Sequence, residues 1–386
     1  MLKVHLPKVV ELGEKTRLTV NVEVDGKESE IWFETDKEYG KYFCPERSDA
    51  LLVMLFYYAM KNGHDMELDG EVSEELYFGV QYNLVKALHY AAPEFYETKI
   101  KCRTTSEPIV SENKSATGAS GGVDSLSSIY LYSVGDRPES HKLDYITYFN
   151  SGASHYDDGT KVKSKDGESV EEVRLENAKT ISKAANIPLI AMNSNINEFL
   201  GIAYIRTHTF RNCGFAMLLQ KLLSKYYYAS NGLGFETTEV TPYTNIGSYD
   251  CVTLHYISNG TIKFYSALDY CYRIDKTAML LDYPVAQKLL NVCILDGKNC
   301  GVCKKCKRTL LTLDAYDRLD DFSEAFDIPK YKAERKKHYT WAAMNRKTDF
   351  LDDIYPVLKA QKKIPFTSAL IGNILRVLRA IKRKFR

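Results

Sequence analysis

Between residues 17 and 24 apolar and polar side chains alternate, with Leu18, Val20, Val22 and Val24 on one face. A period of two with one apolar face predicts a half-buried strand. Residues 30–34 read as a second short strand, so a small antiparallel sheet is expected. The period then becomes helical. Ser48 and Asp49 can cap a helix that carries Leu51, Leu52, Leu55 and Met60 and stops at Gly63. Ser73 can cap another, with Leu76, Val80, Leu84 and Leu88, that ends before Pro93.

Beyond residue 111 short apolar runs at 115–119, 143–149, 188–192, 226–230 and 262–267 take turns with helical stretches starting near Ser125, Val170 and Thr209. This rhythm predicts an α/β fold, a parallel sheet with helices on both faces. Such sheets bind ligands at the carboxyl ends of their strands. Residues 155–168 are polar and rich in Gly, Asp and Lys, and read as a surface connection or a loop over the site. After Leu310 the pattern is helical. The expected organisation is an N-terminal α+β domain (1–110), an α/β domain (111–310) and a helical C-terminal region (311–386).

The final segment, 366–386, is a basic amphipathic helix. Leu370, Ile371, Ile374, Leu375, Val377, Leu378, Ile381 and Phe385 fall on one side, Arg376, Arg379, Lys382, Arg383 and Arg386 on the other, with Lys384 at the edge. Such a stripe docks on the protein's own core, lies on an anionic membrane, or binds a partner or nucleic acid. Core docking is the commonest fate. The expected arrangement is a docked apolar face and a basic face exposed to a protein partner.

Composition narrows the classes. The chain has 386 residues and a net charge of +2, so the whole molecule is not a polyanion binder. Its longest apolar run, 51–60, is too short to span a bilayer, and the first residues lack the apolar core of a secretory leader. A cytoplasmic location is the expectation. Of nine cysteines, Cys44, Cys102, Cys213, Cys251 and Cys271 are scattered and read as small buried hydrophobes.

Two motifs carry candidate chemistry. Ser120-Gly121-Gly122-Val123-Asp124-Ser125 lies between an apolar run ending at Ala119 and a helical stretch. A strand, a glycine turn and a helix aim backbone N–H groups and a helix dipole at one point, where phosphate fits. Ser120 and Ser125 add hydroxyls, and Asp124 is a candidate Mg²⁺ ligand. The lysine ending of a Walker loop and the third glycine of a dinucleotide fingerprint are both absent. The second motif is Cys293, Cys300, Cys303 and Cys306, spaced C-x6-C-x2-C-x2-C. Four thiolates suit a structural Zn²⁺; they also suit an iron–sulfur cluster.

The first motif resembles the SGGxDS loop of the PP-loop ATP pyrophosphatase superfamily. With the cysteine cluster about 170 residues on, the chain is similar to the 7-cyano-7-deazaguanine synthases. That family has an Arg-Asn pair at a helix start, matched by Arg211-Asn212. Its knuckle, C…CGxCxxC…R, is matched by Cys293, Cys300-Gly301, Cys303, Cys306 and Arg308. The resemblance covers about 115–309, roughly half the chain.

The resemblance implies a HUP/PP-loop fold and an ATP-dependent, AMP-forming ligase. ATP is cleaved to AMP and pyrophosphate, a carboxylate is adenylated, and an amide or nitrile forms. Implied nucleotide contacts are Ala119, Ser120, Gly121, Gly122, Val123, Asp124, Ser125, Asn150 and Ser151; implied catalytic residues are Asp124, Ser125, Arg211 and Asn212. Asn193 and Asn195 are candidates for ribose or acyl contacts, and Lys276 reads as a solvated lysine. ATP, Mg²⁺ and Zn²⁺ are the implied cofactors. Three sources of the carboxylate stand open, a small molecule, a nucleobase and a protein terminus, and so does a homodimer. Two alternatives stand: an RNA- or nucleotide-thiolating enzyme, for which Cys213 is the candidate cysteine, and a non-catalytic nucleotide-binding subunit.

Overall fold

The computed structural model describes residues 1–154, 169–230, 236, 238–293, 296–348 and 351–384. The loop expected at 155–168 and Phe385 lie outside these residues. The strands are β1 (Leu2–Val4), β2 (Lys8–Leu12), β3 (Lys15–Val24), β4 (Lys27–Asp36), β5 (Met66–Ser73), β6 (Ile100–Thr105), β7 (Lys114–Gly118), β8 (Tyr145–Phe149), β9 (Leu189–Ser194), β10 (Leu223–Ala229) and β11 (Lys263–Ala267). The helices used below are α1 (Asp49–Asn62), α2 (Val123–Ser133), α3 (Val170–Ala185), α4 (His208–Leu218), α5 (Arg273–Ala278), α6 (Lys304–Ala315), α7 (Ile328–Asn345), α8 (Leu351–Ala360) and α9 (Phe366–Lys384).

The described strands form one mostly parallel sheet in the order β11-β10-β7-β8-β9-β4-β3-β1-β5-β6, with β2 on β3. The run from β11 to β9 is parallel. At β9 the sheet does not end, because β4 pairs antiparallel with it through Phe33 and Ser194. The N-terminal strands thus extend the parallel sheet and do not build a small sheet of their own. Leu18, Val20 and Val22 face the core, as their alternation demands. Asp49 does not cap α1. Its buried carboxylate accepts from the Ser73 N–H (2.7 Å) and from Asn259 (3.1 Å).

Contacts group the chain into two compact units, Met1–Ala119 with Leu131–Val162 and Ala185–Tyr270, and Ser120–Tyr130 with Lys163–Ala184 and Cys271–Arg386. These are not the three segments expected from the pattern. All strands of the sheet lie in the first unit. The second is helical, and its core includes Leu311, Tyr339, Ala342, Leu351, Ile354 and Leu358 from α6, α7 and α8.

The second unit also buries a carboxylate. Asp314 accepts from the hydroxyls of Tyr331 and Tyr339 (2.8 Å each) and from Arg335 Nε (2.8 Å). Burial alone would raise its pKa, but Arg335 and the two hydroxyls outweigh it and hold the carboxyl below its usual value. A depressed carboxylate pKa stabilises the fold above the unfolded value, and that stability is lost as pH falls through the folded one. Asp314→Asn is expected to destabilise this unit by about 2 kcal/mol near neutral pH. The difference from the parent should shrink as pH drops below about 4. Chemical denaturation at several pH values measures both; a constant difference would contradict the linkage.

The tail differs from expectation. α9 packs on α7 through Ser368, Gly372 and Arg379, not through its aliphatic side. A Cβ at Gly372 would lie 2.5 Å from Ala343 Cβ and 2.7 Å from Thr340 O, so the glycine allows the close crossing. Leu370, Ile374 and Ile381 are left exposed.

Candidate functional site

The glycine loop, with the N-terminus of α2, belongs to the second unit. Gly121 has φ +77°, and a Cβ there would sit 2.4 Å from Asn177 Nδ2 of α3, so both backbone and space require glycine. Its N–H donates to Ser125 Oγ (3.2 Å), and its carbonyl accepts from Asn291 N–H (2.8 Å). Gly122 N–H reaches Ser120 Oγ at 3.4 Å. Ser125 is buried and Ser120 exposed. The loop is thereby tied at both ends, with α2 beginning at Val123.

Asp124, in the first turn of α2, meets two cations of α5. Its Oδ2 lies 2.7 Å from Arg273 and its Oδ1 3.6 Å from Lys276 Nζ. The crowding of protein around the carboxyl would raise its pKa, but Arg273, Lys276 and Arg308 together hold it below the usual range. Lys276, expected to be solvated, is 1% exposed. The residues do not fit an Mg²⁺ ligand set. A divalent ion on Asp124 would stand against two cations at contact distance, and no step below runs through it. What the cluster offers is positive charge beside a helix N-terminus, which suits an anion.

Asn150, Ser151, Arg211 and Asn212 belong to the first unit, where the fold brings them together. Asn150 Nδ2 donates to Asn193 Oδ1 (2.6 Å) and Ser151 Oγ to Asn212 Oδ1 (3.2 Å). Asn212 Nδ2 donates in turn to Tyr204 Oη (2.9 Å) and His208 O (2.7 Å). Arg211 is wholly buried. Its guanidinium donates to Thr207 Oγ1, Ser151 O and Asn197 Oδ1, each at 2.8 Å, and to Ile202 O at 2.6 Å. Burial brings its pKa down to about 10, which leaves it charged at neutral pH. Gly152, with φ +110°, has no room for a Cβ against Asn197 and Arg211. These bonds make Arg211 a bracket for the loop after β8. The resemblance implies a catalytic Arg211, and the structure places its guanidinium against protein groups. Asn195 is also engaged, accepting from Trp32 N–H and donating to Glu30 O beside β4 (2.8 Å each).

Two functional candidates escaped the sequence reading. Arg273 stands three residues before Lys276 in one short helix, a spacing visible in the sequence but unremarkable there. Asp269, just after β11, is 1% exposed, and neither carboxylate oxygen has a hydrogen-bond partner among the described residues. Nothing local marks it. Cys213, the candidate sulfur carrier, is fully buried, and burial pushes its thiol far up. Such a thiol is inert. His208 contacts Asn245 Oδ1 (3.1 Å) and Tyr228 Oη within the core; His155 lies outside the described residues.

In the second unit the sulfur atoms of Cys293, Cys300, Cys303 and Cys306 all lie within 4.8 Å of one another. Tetrahedral zinc with bonds of about 2.3 Å separates its sulfurs by about 3.8 Å, so the cage needs only slight contraction to hold such an ion. The backbone already turns toward the thiolates. Cys303 N–H points to Cys300 Sγ (3.3 Å) and Cys306 N–H to Cys303 Sγ (3.4 Å). Gly301, at φ +70°, makes the turn between them. The four-cysteine group can hold a metal ion such as zinc.

No helix is long and apolar enough to cross a membrane among the described residues. No family model, curated protein or solved structure matches this chain.

Proposed function

We propose that the chain is an ATP-dependent ligase of the PP-loop type, which adenylates a carboxylate and passes the acyl group to nitrogen to give an amide or nitrile. The observation that carries this reading is the glycine loop at the start of α2, with Arg273 and Lys276 drawn up on Asp124. The pyrophosphate half of ATP suits that combination of loop N–H groups, helix dipole and buried cations. Asp124 keeps Arg273 and Lys276 in position. A substrate carboxylate oxygen attacks the α-phosphorus, and the bond from that phosphorus to the bridging oxygen of pyrophosphate breaks. A nitrogen nucleophile then displaces AMP from the acyl carbon and loses its proton, which gives the amide; a nitrile requires a second ATP that adenylates the amide oxygen, after which AMP leaves and the nitrogen loses its remaining protons. Positioning and charge supply most of the rate in such a step. The thiolating alternative loses its candidate cysteine, because Cys213 is sealed in the core.

The test is product identity. Purified protein with ATP, magnesium and a panel of carboxylates should release pyrophosphate and AMP in equal amounts, read by phosphorus NMR. ADP and orthophosphate as products would reject the reading.

A further inference from the structure

The segment α9 turns its aliphatic face away from the body of its own unit. Leu370, Ile371, Ile374, Leu375, Leu378 and Ile381 are each between 41% and 50% exposed. The opposite face is the docked one. Ser368 Oγ donates to Lys336 O (3.3 Å), Arg379 to Asn345 Oδ1 (3.0 Å) and Arg346 to Asn373 Oδ1, while Gly372 packs against Ala343. A helix held by its polar face, with its aliphatic face outward, is the reverse of ordinary core packing.

Charge decides what covers it. The helix from Phe366 to Lys384 carries five Lys or Arg and no Asp or Glu. Lys336 and Lys347, in the segment beneath it, are exposed and have the same sign. A second copy docking face to face would bury the aliphatic side chains but, bringing a helix without Asp or Glu, would offer no anion to the exposed Lys382 at the edge of that face. The apolar face is also wider than a coiled-coil seam, which uses about two positions in seven. Nucleic acid would take the cations and leave the aliphatic side chains in water. An anionic lipid surface answers both features, burying the aliphatic side chains below the headgroups while the exposed Lys382, at the edge of that face, meets lipid phosphates.

We propose that α9 is an interfacial membrane-binding helix, through which this protein associates reversibly with anionic bilayers while α7 holds the polar side. The inference is independent of the catalytic proposal.

Sedimentation of the full chain with vesicles tests it. Vesicles of phosphatidylcholine containing roughly one third phosphatidylglycerol should bind at least about tenfold more protein than vesicles of phosphatidylcholine alone, and high salt should weaken the binding. Ile374→Ser with Leu378→Ser changes two exposed side chains, so the thermal melt should stay put while vesicle binding falls at least about tenfold. Equal binding to both vesicle types, no binding to either, or full binding by the double variant would overturn the proposal. So would a concentration-dependent dimer, seen by light scattering in the parent and lost in the variant; a second copy would then own this face.

Discussion

Stripping the metal should unfold the second unit. Purified protein is expected to carry about one zinc per chain on Cys293, Cys300, Cys303 and Cys306. In small zinc domains binding is worth on the order of 10 kcal/mol and is inseparable from folding. This unit has a further core around Leu311 and Ile354, so the loss should be smaller, yet even a third of that figure is a large share of a typical domain's stability. Cys303 is the most informative ligand to change. It is buried, it caps α6, and its sulfur accepts the Cys306 N–H, so Cys303→Ser disturbs metal, cap and knuckle together. Metal analysis with thermal melts, with and without a strong chelator, decides the matter. An unchanged melt after zinc removal, or a brown iron-containing protein, would sink it.

The second large effect concerns Asp124. Asp124→Ala should lower pyrophosphate release by at least about a hundredfold, the order seen when a charge-organising group is removed from an active site. It should also destabilise the second unit by about 2 kcal/mol. Arg273 and Lys276 lose their counter-ion, while the 22% exposure of the Asp124 side chain lets water soften the loss. Adding Lys276→Met removes one of the two cations that face Asp124. The double variant should regain stability and stay inactive. If stability and activity return together, Asp124 is only a structural partner; if the single variant turns over ATP normally, the loop is not the phosphate site.

Seven of the eleven described strands were legible because they form local apolar runs or alternate, whereas β1, β2, β5 and β6 were not expected. The runs expected at 143–149 and 262–267 became Tyr145–Phe149 and Lys263–Ala267, and the glycine loop follows β7 as expected. Partnerships were not legible. Nothing in 30–34 announces that β4 will lie beside β9, since the contact is completed by Asn195, a residue that also suits an ordinary turn. Arg211 was expected to be catalytic from the resemblance alone, and nothing local in the sequence announces its ties to Ser151 and Ile202. The amphipathic pattern of α9 identified two faces correctly but not which one docks. A hydrophobic stripe measures what a helix could bury, and a single small residue, Gly372, decided what it did bury.

The join between β4 and β9 has a consequence for how the chain is made. Trp32 and Asn195, which bond across it, are 163 positions apart. During synthesis β4 leaves the ribosome long before its neighbour exists and must wait with one edge unpaired. Distant pairing of this kind slows folding and exposes an edge that other chains can take up. Deleting the first 110 residues creates the same hazard permanently on β9, so the remainder of this protein, expressed alone, should be prone to aggregation.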